Sequence, residues 1–369
     1  MLRNGNICCT VNIAMEQNIT DHQTSAQRLI HQFLENLEEL PEVRARLQQK
    51  QPKSADAQIE LKVAGKGVTL LVEAKKVAYP RDVQQAIWQL RLAGQSFQKE
   101  TTLVLIAEYL SPGAKEQLKA EHIGYYESGG SLYLPAPGAY CYIDRPSAKV
   151  FERPVRSLFS GRRAQVVHGL LVHPQRWFGV HELAELAIVS PATVSEVFAQ
   201  LERQDWVTSQ GKGPGKARQL CQPAALLDAW AKQVKDSPSP TMARYYVPGV
   251  KADGLISRID DVFWKGNVEY AVSYESAAQR YAPFLSSISQ VRVRIIQSSE
   301  SQAAISDLGA RSVAEGSNLA IIDAESLLFR NKINDIWLAS PVQVYLDLMQ
   351  SEGRSKEMAE HLRKERIGF

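Results

Sequence analysis

The sequence predicts a multidomain α/β protein in which two mixed α/β units flank a central helical unit. Apolar residues recur at intervals of two in some segments and of three or four in others, as in alternating strands and helices. A length of 369 residues is typical of two or three domains. Proline-bearing stretches after Asp144 and at the DSPSP run of residues 236–240 predict the connections between them. The predicted parts are a disordered leader over 1–24 and domains over 25–150, 160–236 and 245–369.

Composition narrows the class of protein. The 43 basic and 40 acidic side chains give a net charge of +3, so any basic surface must be local. The four cysteines form no C-x-x-C pair, which argues against a zinc site or a disulfide framework and favours a reducing cytoplasm. No segment approaches the roughly 18 apolar residues of a membrane helix, so no membrane partner is expected. The opening residues lack the long apolar run of a secretory signal, and Met15 is an alternative start to Met1.

The first domain is predicted to be a mixed α/β fold that begins with a helix and a hairpin. Apolar residues at three- and four-residue spacing from Ser25 to about Gln49 predict an amphipathic helix, interrupted near Pro41. The turn composition Ala-Gly-Lys-Gly separates two apolar runs and predicts the hairpin. In order, the further elements are strands Ile59–Val63 and Val68–Ala74, a helix opened by Pro80, strand Thr102–Ala107 and helix Pro112–Ala120.

The central domain is predicted to hold three helices and a glycine-rich hairpin. The predicted elements are helices Gln165–Val172 and Val180–Ala187, a third helix from Ser190 to about Gln204, strand Trp206–Ser209, the loop GKGPGKAR, strand Gln219–Gln222 and helix Ala224–Val234. Three helices followed by a hairpin, over about residues 162–222, are typical of a winged helix-turn-helix. This unit therefore predicts a sequence-specific protein that binds double-stranded DNA.

The third helix of this domain carries the predicted base-reading surface. Ser190 is a suitable N-cap, and Pro191 suits the first helical position because it lacks an N–H group. Apolar residues at helical spacing define the buried stripe, and the other positions face outward. The stripe is Val194, Val197, Phe198 and Leu201; the predicted DNA-binding residues of the helix are Ser190, Ala192, Thr193, Ser195 and Glu196 near the bases and Gln200 and Arg203 toward phosphates.

The hairpin supplies positive charge without acidic neighbours. Between Gln210 and Arg218 lie Lys212, Lys216, Arg218 and three glycines, a composition that suits close approach to a sugar-phosphate backbone. A homodimer is expected, because palindromic operators match two-fold proteins. An alternative interpretation is that the whole unit serves only packing or dimerisation.

A Glu-x-Lys pair in the first domain indicates a candidate catalytic site, in addition to the predicted DNA-binding surface. Glu73 and Lys75 lie two residues apart on one strand, hence on one face, and Asp56 lies just before the preceding strand. A helix with three glutamines follows. Gln85 is the candidate catalytic residue among them, and Gln84 and Gln89 are the alternatives. The arrangement resembles the PD-(D/E)-x-K nuclease core. That resemblance implies that Asp56 and Glu73 hold Mg²⁺, and that the lysine orients the attacking water. The alternative is a solvated Glu and Lys on an exposed strand face.

The last third of the chain alternates helix-like and strand-like segments and is predicted to be a second α/β domain. Four segments carry a family resemblance: LLDAWAKQV, RYYVPG, YAVSYESAAQRYAPF and the closing NDIWLASPVQVYLDLMQSEGRSKEMAEHLRKE. Over roughly the last 200 residues they resemble the AbiEi-type antitoxin-like transcriptional regulators. The resemblance implies that the winged helix represses the operon and that the C-terminal domain counters a nucleotidyltransferase-like toxin encoded nearby.

These features predict a DNA-binding transcriptional regulator that represses its own toxin-antitoxin or mobile-element operon. The nuclease-like domain in front of the winged helix departs from the smaller antitoxins, so a plasmid regulator is an equal expectation. No cofactor is expected for regulation. The alternatives are a Mg²⁺-dependent DNA nuclease that its winged helix targets, and an antitoxin that acts through its C-terminal domain.

Overall fold

The computed structural model describes residues 25–48, 55–63, 65–95, 97, 101–137, 139–146, 157–285, 287–351 and 353–369. The chain divides into two compact units. Unit 1 comprises Met1–Pro154 with Glu202–Asp205, and unit 2 comprises Val155–Leu201 with Trp206–Phe369. The predicted leader over 1–24 lies outside the described residues. Both units contain helices and sheets, which confirms the mixed α/β class.

Unit 1 is built on a sheet whose strands follow one another in chain order. Its strands in the described residues are β1 (Val43–Leu47), β2 (Ala57–Val63), β3 (Lys66–Ala78), β4 (Thr101–Leu110), β5 (Gly124–Glu127), β6 (Leu132–Ala136) and β7 (Ala139–Ile143). The pairs β3–β4 and β4–β5 are parallel, and the remaining neighbours are antiparallel. The two parallel pairs are connected through helices α2 (Pro80–Gly94) and α3 (Pro112–Ala120), as parallel pairing requires.

Helices cover both faces of this sheet. Helix α1, over residues 25–38, packs with Leu70 and Val72 of β3 on one face. Helices α2 and α3 pack with Leu71 on the other, because successive strand side chains point to opposite faces. The helix predicted to continue to Gln49 is wrong beyond residue 38. Pro41 and the positive φ of 59° at Glu42 turn the chain, and β1 then pairs with β2.

Unit 2 begins with the predicted set of helices and a hairpin. Its first elements are helices α4 (Gly161–Val172), α5 (Val180–Leu186) and α6 (Pro191–Arg203), strands β8 (Val207–Gln210) and β9 (Ala217–Leu220), and helix α7 (Pro223–Asp236). Strands β8 and β9 form an antiparallel hairpin. An additional bridge pairs Phe178 with Arg218, with N···O distances of 2.8 and 2.9 Å. The segment before α5 therefore adds a third, very short strand beside the hairpin.

The rest of unit 2 is a mixed sheet with helices. The strands are β10 (Met242–Tyr246), β11 (Tyr270–Ser273), β12 (Val291–Ile295), β13 (Arg311–Ser312), β14 (Leu319–Asp323), β15 (Asn331–Ile333) and β16 (Ile336–Leu338), in the spatial order β13-β10-β14-β12-β11-β16-β15. The helices are α8 (Ala252–Lys265), α9 (Tyr274–Tyr281), α10 (Ser299–Asp307), α11 (Pro341–Met349) and α12 (Ser355–Leu362). A helical turn over Arg363–Ile367 follows α12.

The helical part and the sheet of unit 2 share one hydrophobic core. A continuous cluster of buried side chains includes Leu170 of α4, Phe198 of α6, Trp230 of α7 and Tyr270 of β11. The proline-bearing stretch at residues 236–240, which predicts a domain connection, thus lies inside a compact unit. None of the helices in the described ranges is long and apolar enough to cross a bilayer.

Candidate functional site

The turn between α5 and α6 sets the direction of the predicted DNA-reading helix. Ile188 adopts a left-handed conformation with φ 51° and is 66% exposed, which is an uncommon arrangement for a β-branched residue. The N–H of Val189 donates to the Ala184 carbonyl at 2.9 Å and closes the end of α5. Ser190 then accepts the N–H of Thr193 at 3.2 Å, which confirms the predicted N-cap.

Helix α6 has one buried and one exposed face. The four residues of the predicted stripe, Val194, Val197, Phe198 and Leu201, are 0% exposed, which confirms that stripe. Ala192, Ser195 and Glu196 are exposed, and Thr193 is half-buried. The first two turns of α6 thus present an open polar surface.

Several of the predicted reading residues already have partners. Glu196 forms an ion pair with Arg163 of α4 at 2.7 Å, and both side chains are largely exposed. The Thr193 hydroxyl contacts the Ser190 hydroxyl at 3.0 Å. The Gln200 amide oxygen is buried and has no hydrogen-bond partner in the part of the chain that the structure describes. Ser195 therefore presents the least encumbered hydrogen-bonding side chain among the predicted readers.

The β8–β9 hairpin places its basic residues at different depths. Gly211 and Gly213 adopt positive φ angles of 78° and 59°, which L-residues rarely adopt, and they form the tip of the hairpin. Lys212 is exposed at this tip, and Lys216 is half-buried. Arg218 lies over the Phe198 ring at 5.0 Å and donates to the Lys216 carbonyl at 3.2 Å. Lys212 is thus the exposed basic side chain of the hairpin, whereas Arg218 ties the hairpin to α6.

In unit 1, the strand register brings together three of the four predicted catalytic side chains, Asp56, Glu73 and Lys75. Ala57 pairs with Val72, so the preceding Asp56 lies opposite Glu73. The Asp56 carboxylate accepts the N–H of Ala74 at 2.8 Å, which holds the carboxylate beside β3. Lys75 lies two residues after Glu73 on the same face and donates to its Oε1 at 2.9 Å.

The environment of Glu73 opposes its negative charge. Glu73 is 8% exposed and lies on the face that α2 and α3 cover. Burial raises the pKa of its carboxyl, the hydrogen bond from Lys75 lowers the pKa, and the Asp56 carboxylate raises it, with a net upward shift. Two neighbouring carboxylates with one disfavoured anion form a site that a cation would stabilise.

Of the three glutamines of α2, Gln85 and Gln84 are exposed, and Gln89 is half-buried. The Oε1 atom of Gln89 is buried and has no partner among the described residues. Gln89 therefore points into the unit, whereas the predicted candidate Gln85 faces outward. Among these three glutamines, Gln89 is the one whose amide oxygen is buried and unpartnered within the described residues.

A further charged pair on this face was missed in the sequence. Lys75 pairs with Ala107, and Ala107 pairs with Glu127, so Lys75 and Glu127 lie on the same side of the sheet. Glu127 is 1% exposed and binds Lys115 of α3 at 2.7 Å. An acidic residue that ends the aromatic strand GYYE was the available signal. In the described ranges, no group of three or more His, Cys, Asp or Glu residues is placed to hold a metal ion.

Comparison with known proteins bears on unit 2. Residues 219–367 match the AbiEi family. The description of that family model is transcriptional regulator, AbiEi antitoxin, type IV toxin-antitoxin system. We call residues 219–367 the AbiEi-like segment; it extends from β9 to the last helical turn. No curated protein and no solved structure matches the chain.

The AbiEi-like segment supports the regulator class predicted from the sequence. It includes the whole of the sheet of unit 2 and the last two residues of the second strand of the hairpin. The match does not extend to unit 1, so the nuclease-like interpretation of Asp56, Glu73 and Lys75 stays a prediction.

Proposed function

We propose that the protein is a sequence-specific DNA-binding regulator that represses its own operon. The observation that carries this proposal is the exposed first half of α6 beside a basic hairpin, in a compact unit whose remainder is AbiEi-like. Such a helix fits the major groove, and a hairpin pinned by a third strand is the geometry of a winged helix.

Each part of this surface has a separate role in the proposal. Ser195 reads a base edge, since its hydroxyl is exposed on the second turn of α6. Lys212 at the hairpin tip and Arg203 at the end of α6 contact phosphates, and both side chains are exposed. Glu196 acts by holding Arg163 on α4, so its contribution to base reading is indirect.

The test is a footprint on the DNA upstream of the gene, together with a titration of affinity against salt. Lys212→Ala should weaken binding equally on all sequences and reduce the salt slope by about 0.9. Ser195→Ala should weaken operator binding by ~1 kcal/mol, about fivefold, and leave non-specific binding unchanged. Lys235→Ala is the matched control, because Lys235 is an exposed lysine near the end of α7. Absence of a protected site at moderate salt would refute the proposal.

The AbiEi-like segment also suggests an antitoxin role and a partner toxin encoded nearby. Deletion after residue 240 would be a poor test, since it removes much of the core shared with the helical part. A surface variant is cleaner. Trp264 of α8 is 76% exposed, and Trp264→Ser should leave folding intact. If Trp264 contributes to rescue, cells that co-express the neighbouring toxin should lose growth with this variant and keep it with Asp261→Asn, an exposed position on the same helix.

A second candidate function is metal-dependent cleavage of DNA by unit 1. The observation that favours it is the position of Asp56 opposite Glu73, with Lys75 hydrogen-bonded to Glu73. Two carboxylates suit Mg²⁺, and Asp56 and Glu73 would hold it. The ion would supply charge stabilisation at the phosphate under attack. Lys75 would position the attacking water or offset the charge of the phosphate.

Cleavage is tested by nicking of supercoiled plasmid with Mg²⁺ or Mn²⁺. Glu73→Gln and Lys75→Ala should each abolish nicking. Glu60→Gln and Lys62→Ala are the controls, because both residues are exposed on the neighbouring strand β2. No nicking by the wild type, or equal nicking by all variants, would remove the enzyme interpretation.

A further inference from the structure

A cavity of about 250 Å³ lies inside unit 2, between the helical part and the mixed sheet. Helix α4 contributes Gln165 and His168, α7 contributes Trp230, and the segment after β14 contributes Phe329. A neighbouring cavity of about 200 Å³ shares Trp230, Arg294 and Gln343 with it. Arg294 and Gln343 thus form the polar wall common to both spaces.

A buried carboxylate fixes this polar wall. Asp347 of α11 is 2% exposed and accepts two hydrogen bonds from Arg294, one from Nε at 2.9 Å and one from Nη2. It also accepts the Nε2 group of Gln343 at 2.8 Å and the Ser273 hydroxyl. Both side chains of the wall are therefore held in place before any ligand arrives, which reduces the cost of ordering them.

The same network leaves one donor and one acceptor unused. Arg294 Nη1 and Gln343 Oε1 have no hydrogen-bond partner among the residues that the structure describes. Both side chains are bound to the same carboxylate, and both line the same cavity. A guanidinium N–H beside an amide C=O complements a molecule that presents a carbonyl next to an N–H. That edge is a lactam, as in an oxo-purine or an oxo-pyrimidine.

The other walls suit a flat, uncharged molecule. His168 packs against Phe329 with ring centroids 4.7 Å apart and against Trp230 at 6.0 Å. His168 Nε2 and the Ser340 hydroxyl are 2.6 Å apart, and burial lowers the pKa of His168 to about 3, so the ring is neutral at pH 7. The charge of Arg294 is balanced by Asp347. Aromatic walls without net positive charge favour a neutral ring over an anion.

Size and charge limit the ligand further. Drug-sized ligands occupy pockets of about 300–1,000 Å³, so a 250 Å³ cavity suits a single nucleobase rather than a nucleotide. Asp323 and Glu325 also line the cavity, and these carboxylates disfavour a phosphate group.

We propose that this cavity binds an uncharged heteroaromatic lactam of nucleobase size, with Arg294 donating to its carbonyl and Gln343 accepting from its ring N–H. A molecule in this site contacts α4 of the helical part and, through Gln343, α11 of the AbiEi-like segment. The proposal does not depend on DNA binding or on cleavage by unit 1.

The test compares two bases of nearly equal size by calorimetry on the full chain. Hypoxanthine carries the lactam edge, and purine lacks the carbonyl and the adjacent N–H. Hypoxanthine should bind at least ~10-fold more tightly than purine, because a site built for a polar edge rejects the analogue without it. Equal affinities, or no heat from hypoxanthine at millimolar concentration, would overturn the proposal without touching the DNA-binding result.

A variant of Gln343 distinguishes the proposed contact from non-specific binding. Gln343→Met keeps the length of the side chain and removes both the acceptor and the hydrogen bond from Nε2 to Asp347, so it should reduce hypoxanthine affinity at least ~10-fold. Gln302→Met is the control, because Gln302 is exposed on α10 and lines neither cavity. Near-UV circular dichroism identifies any variant that is misfolded. If correctly folded Gln343→Met binds as tightly as the wild type, the assignment of Gln343 is wrong and the proposal fails.

Discussion

Replacement of Asp347 by asparagine should destabilise unit 2 more than any surface substitution. The asparagine keeps the shape of the side chain and loses its negative charge. Arg294 then remains with a neutral partner, although its side chain is only 16% exposed. Burial lowers the pKa of this guanidinium, and the Asp347 carboxylate more than offsets that effect, so the net pKa is raised. The charge of Arg294 is therefore sustained by the residue that the substitution removes.

The expected magnitude follows from the bonds that change. Asp347 accepts four hydrogen bonds, two of them from a charged group. Hydrogen bonds to charged groups contribute about 1.5–3 kcal/mol each, and removal of one partner of a buried ion pair costs about 3–5 kcal/mol. We expect Asp347→Asn to lower the free energy of unfolding by about 3–5 kcal/mol. The double substitution Asp347→Leu, Arg294→Met should cost less than either single change, since no unpaired charge remains.

The assay is urea unfolding followed by tryptophan fluorescence. Of the six tryptophans, Trp88 alone belongs to unit 1, so a Trp88→Phe background reports on unit 2. Trp88 is 66% exposed, and its replacement should be mild. Asp261→Asn is the control and should change stability by less than about 0.5 kcal/mol. A loss below about 1 kcal/mol for Asp347→Asn, or additive effects in the double variant, would refute the reasoning.

Three further substitutions test single groups by unfolding. Burial of Glu73 raises its pKa, so just above pH 4.5 the folded state binds more protons than the unfolded state, and the free energy of unfolding falls as pH rises through that window. Glu73→Gln should therefore have a larger free energy of unfolding than the wild type at pH 7, and this difference should shrink below pH 4.5. The Tyr274 hydroxyl is buried without a partner among the described residues, so Tyr274→Phe should stabilise unit 2 by up to ~1 kcal/mol; a comparable loss would show a hidden partner. The pKa of His168 is about 3 in the folded protein and 6.5 in the unfolded chain, so the free energy of unfolding of unit 2 should fall by about 1.4 kcal/mol per pH unit on acidification between these values. His168→Gln should flatten this slope. An unchanged slope would contradict the burial of a neutral His168.

The spacing of apolar residues is sufficient to predict an element where one face of that element is buried. The stripe of α6 was predicted residue by residue, because a helix with one buried face repeats its apolar residues every three to four positions. Helix α11 begins at Pro341 and ends at Met349, because Ser340 caps it and Pro341 fits the first turn. These signals are contained within about ten residues of sequence.

Contacts between residues that are far apart in the sequence could not be predicted from the local spacing of apolar residues. The sequence predicts the end of a helix where β1 lies, because the spacing of Val43 and Leu47 also fits a helix and only pairing with β2 distinguishes the two. The approach of Asp56 to Glu73 depends on a register that a one-residue slip would change. Arg294 and Asp347 are separated by 53 residues, and nothing local in the sequence indicates that they pair.

The shared core of unit 2 changes the structural interpretation of residues 236–240, which the sequence predicts to connect two domains. A proline-bearing stretch normally separates domains that move independently. Here Ser340 accepts the N–H of Gln343 at 3.1 Å as the cap of α11, and its hydroxyl also contacts His168 of α4 at 2.6 Å. The start of α11 is thus bonded to α4, the first helix of the helical part. Because packed, hydrogen-bonded groups connect the sheet of unit 2 to α4, we expect the AbiEi-like segment and the helical part to unfold as one cooperative unit.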